Sequence, residues 1–249
     1  MNPTEGARPA EAGAAEAGAM DLVEIYYAPA AVYRRRADGA EFGLPIAVLA
    51  IAMTALYYAT LPAMQPVMDA EWARMAPAIL KKLPPAQATP ERLQAMQAIG
   101  AKWAGIGVFF GAGLVGPLVT GLLLWLVARI VGVTITVGRA TMIAVFAFFP
   151  LIVEQLVNAG QALVLPEGAI TSRYSLSLGP ARFLDPGSTS PVTMAVIGHI
   201  DLFTIWMALL LAIGLRVVAR ASTAQAATAG IAVWIIGLLP TLLGALRAG

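Results

Sequence analysis

Five long apolar stretches dominate this chain of 249 residues, and each is long enough to cross a lipid bilayer. A hydrocarbon core about 30 Å thick takes roughly 20 apolar residues of α-helix to cross, because a helix rises about 1.5 Å per residue. Stretches of this length with so few charges are poorly explained as core helices of a soluble domain. The predicted spans cover residues 42–61, 103–127, 140–165, 192–215 and 226–246.

The composition indicates the same class of protein. Charged residues make up 12% of the chain, whereas soluble domains average about 25%. The net charge of +2 favours no nucleic-acid partner, and the absence of cysteine excludes disulfides and thiol redox chemistry. We therefore predict an all-α polytopic membrane protein with five transmembrane helices. Its membrane domain covers residues 42–249 and is preceded by an arm at 1–20 and an interfacial segment at 21–41.

Basic residues near the ends of the spans predict the orientation in the membrane. Lysine and arginine close to span ends favour the cytoplasmic side, whereas those deep in long loops have a weaker effect. The amino-terminal side has the larger set, namely Arg34, Arg35, Arg36, Arg129, Arg139, Arg216 and Arg220. On the opposite side only Lys102 and Arg247 are comparably close. We expect a cytoplasmic amino terminus and an external carboxyl terminus, in the periplasm if the protein lies in a bacterial inner membrane.

The chain before the first span changes character along its length. Residues 1–20 are mostly Ala, Gly, Glu and Pro, and they lack the apolar surface that offsets ordering entropy, so we expect a disordered arm. The following residues place apolar side chains at a helical spacing, at Leu22, Ile25, Tyr26, Ala30 and Tyr33. This pattern predicts a membrane-surface helix anchored by its tyrosines, with Arg34 to Arg36 at anionic lipid headgroups contributing about 1 kcal/mol each. A simpler interpretation, compatible with the first, is that these arginines only set the topology.

Two long loops lie on the predicted outer side. The first, residues 62–102, contains six prolines, so we expect only brief amphipathic helices there, at Ala70–Leu80 and Glu91–Ile99, lying on the membrane surface. The second, residues 166–191, is rich in Ser, Thr, Gly and Pro. Its composition is compatible with a lid, a partner surface or a tether.

The second span has the clearest packing pattern. It is rich in glycine, and two pairs of small residues are spaced four apart, Gly107 with Gly111 and Ala112 with Gly116. Such pairs allow another helix backbone to approach closely. We therefore predict that the second span lies at the centre of the bundle.

Polar residues inside the apolar stretches are the best candidates for a functional site. Of fourteen acidic residues only Glu154 and Asp201 lie there, and such groups need a partner or water within a membrane. Glu154, Asn158 and Gln161 share one face of the third span. Because the third and fourth spans run in opposite directions, we expect this stripe to lie near His199 and Asp201.

Three interpretations of this cluster remain open. In the first it is structural, with Asp201 capping a helix that starts at Leu202 and Glu154 protonated or hydrogen-bonded between helices. In the second it forms a proton-linked or polar-ligand path, because acids, amides and the only histidine supply titratable groups. In the third it is a metal or catalytic centre, although one histidine and two carboxylates make a thin ligand set. We assign no cofactor, metal ligand or catalytic residue.

Three short motifs allow comparison with a known family. They are His199-Ile-Asp-Leu-Phe-Thr-Ile-Trp206, Ile25-Tyr-Tyr-Ala-Pro29 with Val32-Tyr33, and Ala147-Phe-Phe-Pro150. Together with the spacing of the five spans, they resemble bacterial members of the Yip (Ypt-interacting protein) family over residues 21–246.

This resemblance implies a multi-pass helical protein with a cytoplasmic amino terminus. Eukaryotic members act in vesicle trafficking, bind Rab-type GTPases and shape membranes. Their Asp-Leu-Tyr-Gly-Pro motif is missing here, where Gly116-Pro117 is at most a remnant, so Rab binding is not carried over. The family has no established enzymatic mechanism, and no catalytic residue is transferred.

We therefore expect a non-enzymatic integral membrane protein that organises partner proteins or lipids. Its expected partners are membrane lipids and either another membrane protein or further copies of the chain. The alternative hypothesis is a small transporter or channel that uses the polar cluster around Glu154.

Overall fold

The computed structural model describes residues 18–84 and 87–248. Most of the predicted arm, residues 1–20, lies outside the described residues. Within the described ranges the chain is helical and contains no β-strand. The predicted all-α class is therefore confirmed.

After a helical stretch at residues 18–24, ten further α-helices follow in the described chain. They are α1 Pro29–Arg35, α2 Gly43–Lys82, α3 Pro90–Gly107, α4 Gly116–Ile130, α5 Val137–Ala147, α6 Pro150–Val164, α7 Pro191–His199, α8 Leu202–Val218, α9 Thr223–Gly237 and α10 Leu239–Ala248. A π-helical segment, Val108–Val115, joins α3 to α4. Short 3-10 turns, Glu167–Ala169, Arg173–Leu176 and Pro180–Phe183, fold the loop between α6 and α7.

Four helical segments of the described chain are long and apolar enough to cross a membrane. They are Gly43–Lys82, Pro90–Ile130, Val137–Val164 and Thr223–Arg247. A fifth span results if α7 and α8, which are bent by 52° relative to each other, form one crossing. Each predicted span overlaps one of these segments, and the protein is an all-α polytopic membrane protein.

The third span, formed by α5 and α6, lies at the centre of the bundle. In its most apolar part 61% of the residues are buried, against 17% for the second span. Every residue from 140 to 150 is buried, and the span contacts α2, α4 and α8. The prediction that placed the second span at the centre is wrong. Small residues permit a close approach on one helix face, whereas a central helix is buried on all of its faces.

The glycines of the second span differ in what they contact. A Cβ atom added at Gly113 would lie 2.7 Å from the Cα of Ala50, and one added at Gly121 would lie 2.5 Å from the Cα of Thr141. At these two positions glycine lets the first and third spans approach the second at backbone distance.

Of the two predicted pairs of small residues, one is packed against the bundle and the other is exposed. Gly116 is tightly packed, since an added Cβ atom would lie 2.9 Å from the ring of Phe148, and Ala112 packs against the hydrophobic core. Gly107 and Gly111 are exposed, and an added Cβ atom at either would have nothing within 4 Å. Among the described residues, therefore, only the second pair serves helix packing.

The first two spans extend far beyond the thickness of a bilayer. Helix α2 has 40 residues, and the helical segment from α3 to α4 has 41. Each is therefore about 60 Å long, roughly twice the ~30 Å of a hydrocarbon core. We call the parts beyond the predicted spans, residues 62–82 of α2 and 90–102 of α3, the projecting hairpin.

The brief surface helices predicted within residues 62–102 are wrong. Pro62, Pro66 and Pro77 all lie inside the continuous helix α2. A proline removes one helical hydrogen bond and bends the helix, but the turns on either side keep theirs. Contacts between α2 and α3 stabilise these two long helices, and such contacts cannot be predicted from the local sequence.

The segment before the first span packs into the bundle. Tyr33 is fully buried, and its hydroxyl donates to the carbonyl oxygen of Ile143 at 3.2 Å. The hydroxyl of Tyr26 donates to the carbonyl oxygen of Phe149 at 3.0 Å. Burial raises the pKa of Tyr26 to about 12 and raises the pKa of Tyr33 as well. The two tyrosines therefore bind the third span, where the sequence predicted anchors on the membrane surface.

Two of the three arginines predicted at lipid headgroups are held by acidic side chains of their own segment. Arg35 donates to the carboxylate of Asp21 at 2.5 Å and also pairs with Glu24. Arg36 donates to the second oxygen of Asp21 at 2.6 Å. Asp21 is buried, so the two arginines compensate a charge that would otherwise be costly to bury. Arg34 is exposed, and a headgroup contact by Arg34 stays a prediction.

Candidate functional site

The predicted fourth span contains the 52° bend between α7 and α8, and Asp201 starts the second of these helices. Its side chain accepts a hydrogen bond from the backbone N–H of Phe203 at 3.0 Å. Thr204 completes a capping box with Asp201, which satisfies backbone groups that the helix start leaves without intrahelical partners. Asp201 is thus the helix cap that the structural interpretation expected.

The loop between α6 and α7 is fastened to the same aspartate. The hydroxyl of Ser177 donates to Asp201 at 2.7 Å, and the backbone N–H of Leu178 donates to the same oxygen at 2.8 Å. A Cβ atom added at Gly179 would lie only 2.0 Å from the carbonyl oxygen of Ile200, so the loop backbone touches the helix break directly. The loop is therefore a fixed cover on this end of the bundle.

Beneath this cover lies a polar cavity of about 260 Å³, here called cavity 1. The structure brings four of the five predicted cluster residues to its walls: Glu154, Asn158, His199 and Asp201. The other walls are formed by Arg173, Tyr174, Ser177, Ala195, Gly198, Thr204 and Thr241. The cavity therefore combines carboxylates, a guanidinium group, hydroxyls and an amide, which suits a polar ligand bearing both signs of charge.

Gln161, the fifth predicted residue, is not among the cavity walls. Its amide donates to the carbonyl oxygen of Leu176 at 2.8 Å, and Arg182 donates to its side-chain oxygen at 3.4 Å. Three residues beyond Asn158, α6 has risen by about 4.5 Å, which brings Gln161 to the level of the loop. Gln161 is thus a second attachment point of the cover.

His199, Thr204 and Trp234 form one hydrogen-bonded wall. The Nε2 atom of His199 lies 2.8 Å from the carbonyl oxygen of Trp234, and because a carbonyl only accepts, Nε2 carries the proton. The indole N–H of Trp234 donates to the hydroxyl of Thr204 at 3.2 Å, and that hydroxyl lies 2.7 Å from the carbonyl oxygen of His199. The wall therefore links the break of the fourth span to the fifth span.

On the other side of this wall lies an apolar cavity of about 600 Å³, here called cavity 2. It shares His199 and Thr204 with cavity 1. Residues of the second, third, fourth and fifth spans line it, among them Val119, Leu123, Phe148, Met207, Leu211 and Ile236. A polar chamber and an apolar chamber therefore adjoin each other at the break of the fourth span.

Several site residues were missed by reasoning from the sequence. The role of Thr204 could have been predicted, because the third residue after a capping residue commonly completes a capping box. Arg173 and Tyr174 lie in a loop without helical periodicity, and they reach the cavity only because hydrogen bonds to Asp201 and Gln161 hold that loop in place. In residues 18–84 and 87–248, no group of three His, Cys, Asp or Glu side chains is arranged to hold a metal ion.

The four or five helical segments that are long and apolar enough to cross a membrane define a polytopic α-helical membrane protein. The family model of the Yip1 domain matches residues 23–244, which is nearly the whole chain. The chain therefore belongs to the Yip1 domain family, and the predicted family is confirmed. The search of curated proteins found no match, and neither did the search of solved structures.

Proposed function

We propose that this chain is a non-enzymatic membrane protein that organises a partner protein through its projecting hairpin. The observation that carries this proposal is an apolar groove of about 560 Å³ between the two arms of the hairpin. Its walls include Met68, Trp72, Met75, Ala98, Ala101 and Ala104. Most of these residues lie beyond the predicted spans, and such a groove leaves apolar surface unpaired unless a partner covers it.

The side chains of the groove suit an amphipathic helix of another protein. Methionine adapts its shape to different partners, and tryptophan and methionine are enriched at protein interfaces. Met75 is 45% exposed, so the groove presents apolar surface that a partner could cover. Alanines on α3 leave room for a third helix, which matches the known mode in which a helix lays its apolar face into a groove.

The hairpin is held in place by polar contacts. The side chain of Gln97 on α3 donates to Asp69 on α2 at 3.4 Å. The carboxylate of Glu71 accepts from the backbone N–H of Arg173 at 2.9 Å, so the cover loop fixes the hairpin to the bundle. A fixed platform binds with a smaller loss of conformational entropy than a flexible arm does.

The distribution of arginines supports the orientation that goes with this proposal. Arg129, Arg139, Arg216 and Arg220 lie near the ends of helices on the amino-terminal side, as expected for a cytoplasmic surface. With this orientation, and with a bacterial inner membrane as the location, the projecting hairpin extends into the periplasm. The partner is then a periplasmic or membrane protein with an accessible amphipathic helix.

Site-specific photocrosslinking in native membranes tests the proposal. A photoreactive phenylalanine analogue at Met75 should crosslink to one defined partner. The same analogue at Ala78, which is exposed on the same helix but does not line the groove, should not. Equal crosslinking from both positions would refute a groove interface, and crosslinks only between copies of the chain would replace the partner by a homo-oligomer.

A matched pair of substitutions gives an independent readout. Met75→Ser should weaken co-purification of the crosslinked partner at least tenfold, because it removes an apolar contact from the groove. Ala78→Ser should leave co-purification unchanged. If both variants retain the partner equally, the hairpin groove is not the binding surface.

A further inference from the structure

We propose that cavities 1 and 2 together bind one phospholipid molecule whose headgroup carries a primary ammonium group. The headgroup occupies cavity 1, and an acyl chain occupies cavity 2. This lipid site is separate from the hairpin groove of the proposed function. It rests on the adjacency of a polar and an apolar chamber that share His199 and Thr204.

The position of cavity 2 selects an acyl chain as its occupant. Its walls are formed by segments that cross the membrane, and they are predominantly apolar. Water needs two to four polar partners to occupy a site stably. The polar side chains of this cavity are Thr120 and, at the end next to cavity 1, His199 and Thr204, so most of the cavity offers water no partner. Bilayer lipid is the apolar molecule present at this depth. A volume of about 600 Å³ lies within the usual ~300–1,000 Å³ of ligand sites.

Cavity 1 complements a zwitterionic headgroup. Arg173 supplies a guanidinium group, which lies 4.9 Å from the centre of the Tyr174 ring and donates to the Tyr174 hydroxyl at 3.0 Å. Arginine in such a position binds phosphate oxygens through several N–H groups. Glu154 supplies a carboxylate at the cavity wall, which suits an ammonium group.

The two carboxylates of cavity 1 have different roles. Asp201 accepts hydrogen bonds from Ser177, Leu178 and Phe203 and is 7% exposed. Its acceptor capacity is therefore largely used by the protein. Glu154 is the carboxylate left to pair with a ligand cation. A primary ammonium donates hydrogen bonds to it, a quaternary ammonium has no N–H to donate, and a glycerol headgroup has no cation.

Native mass spectrometry of the full chain in detergent tests the site. The probes are phosphatidylethanolamine, phosphatidylcholine and phosphatidylglycerol with identical acyl chains, each added at the same concentration. We expect one molecule of phosphatidylethanolamine to be retained at least tenfold more than either competitor. Equal retention of the three lipids by the unsubstituted protein would overturn the proposal.

Two substitutions locate the headgroup and two locate the tail. Glu154→Gln, which keeps the size of the side chain, should lower retention of phosphatidylethanolamine to that of phosphatidylcholine; a preference that survives would overturn the assignment. Arg173→Gln should weaken the retention of all three lipids, because each carries a phosphate group. Val119→Trp should block cavity 2 and weaken the retention of all three lipids. Leu122→Trp is the control, because Leu122 is on the same helix and 46% exposed but does not line cavity 2, and it should leave retention unchanged. Equal loss in both tryptophan variants would show only nonspecific lipid contact and overturn the tail site.

The outcome is distinguishable from that of the crosslinking experiment. Met75→Ser should leave the lipid preference intact, since Met75 lines neither cavity 1 nor cavity 2. Far-ultraviolet circular dichroism and a monodisperse elution profile establish that each variant is folded before its lipid retention is compared.

Discussion

Replacing Gly121 by alanine tests directly how the second and third spans pack. An added Cβ atom at this position would lie 2.5 Å from the Cα and 2.8 Å from the hydroxyl oxygen of Thr141, a buried residue of α5. The obstacle includes backbone, so no rotation of a side chain relieves it. Ordinary contact begins at about 3.4 Å, and helices α4 and α5 must therefore separate by nearly 1 Å.

Overpacking of this kind costs about 1–3 kcal/mol, and the added methyl group brings little compensation, because helix propensity favours alanine over glycine by at most ~1 kcal/mol. Gly107→Ala is the matched control on the same span. An added Cβ atom there has nothing within 4 Å, so the free energy of unfolding should stay within about 0.5 kcal/mol of the original or rise slightly.

Unfolding by sodium dodecyl sulfate in mixed micelles, followed by circular dichroism, measures the difference. We expect the midpoint to fall for Gly121→Ala and not for Gly107→Ala. A Gly121→Ala protein as stable as the original would refute the packing argument. Gly107→Leu and Gly111→Leu are informative in the same assay combined with light scattering. Loss of an oligomer without loss of stability would show that this exposed pair packs between copies of the chain.

Three further predictions concern the polar groups that hold the bundle together. Asp201→Ala should destabilise the protein by about 2–4 kcal/mol, because it removes a helix cap and leaves the Ser177 hydroxyl without its partner. Asp201→Asn should destabilise it less, and equal thermal midpoints for the two variants would contradict this prediction. Tyr33→Phe should lower the free energy of unfolding by about 0.5–1.5 kcal/mol through its lost hydrogen bond, and Tyr27→Phe, at a side chain 72% exposed, should change it little. Burial raises the pKa of Tyr26 from 10.0 to about 12, so the stability it contributes is complete below about pH 10 and is lost as the pH rises towards 12. In Tyr26→Phe the tyrosinate absorbance that develops near pH 12 should be reduced, and an unchanged titration there would refute the burial argument.

The candidate site was partly predictable from local rules. Glu154 and Asn158 are one helical turn apart, and Asp201 precedes an apolar helix as a capping residue does, so these roles could be inferred from spacing. Arg173 could not, because it reaches the cavity only through the fold of a loop that Asp201 and Gln161 hold in place. The membrane-surface role expected of Tyr26 failed for a similar reason, since a tyrosine hydroxyl suits a lipid headgroup and a buried carbonyl equally well.

The sequence by itself determined the membrane class, the approximate positions of the spans and the membership in the Yip1 domain family. These properties depend on hydrophobicity summed over about 20 residues and on short motifs, and neither depends on which helix is the neighbour of which. Only the tertiary structure decided that the third span is central, that Gly121 packs while Gly107 does not, and that α2 continues through three prolines. Each of these outcomes depends on contacts between residues far apart in the chain, and a periodic pattern shows that a helix face is apolar or small without showing whether protein or lipid covers it.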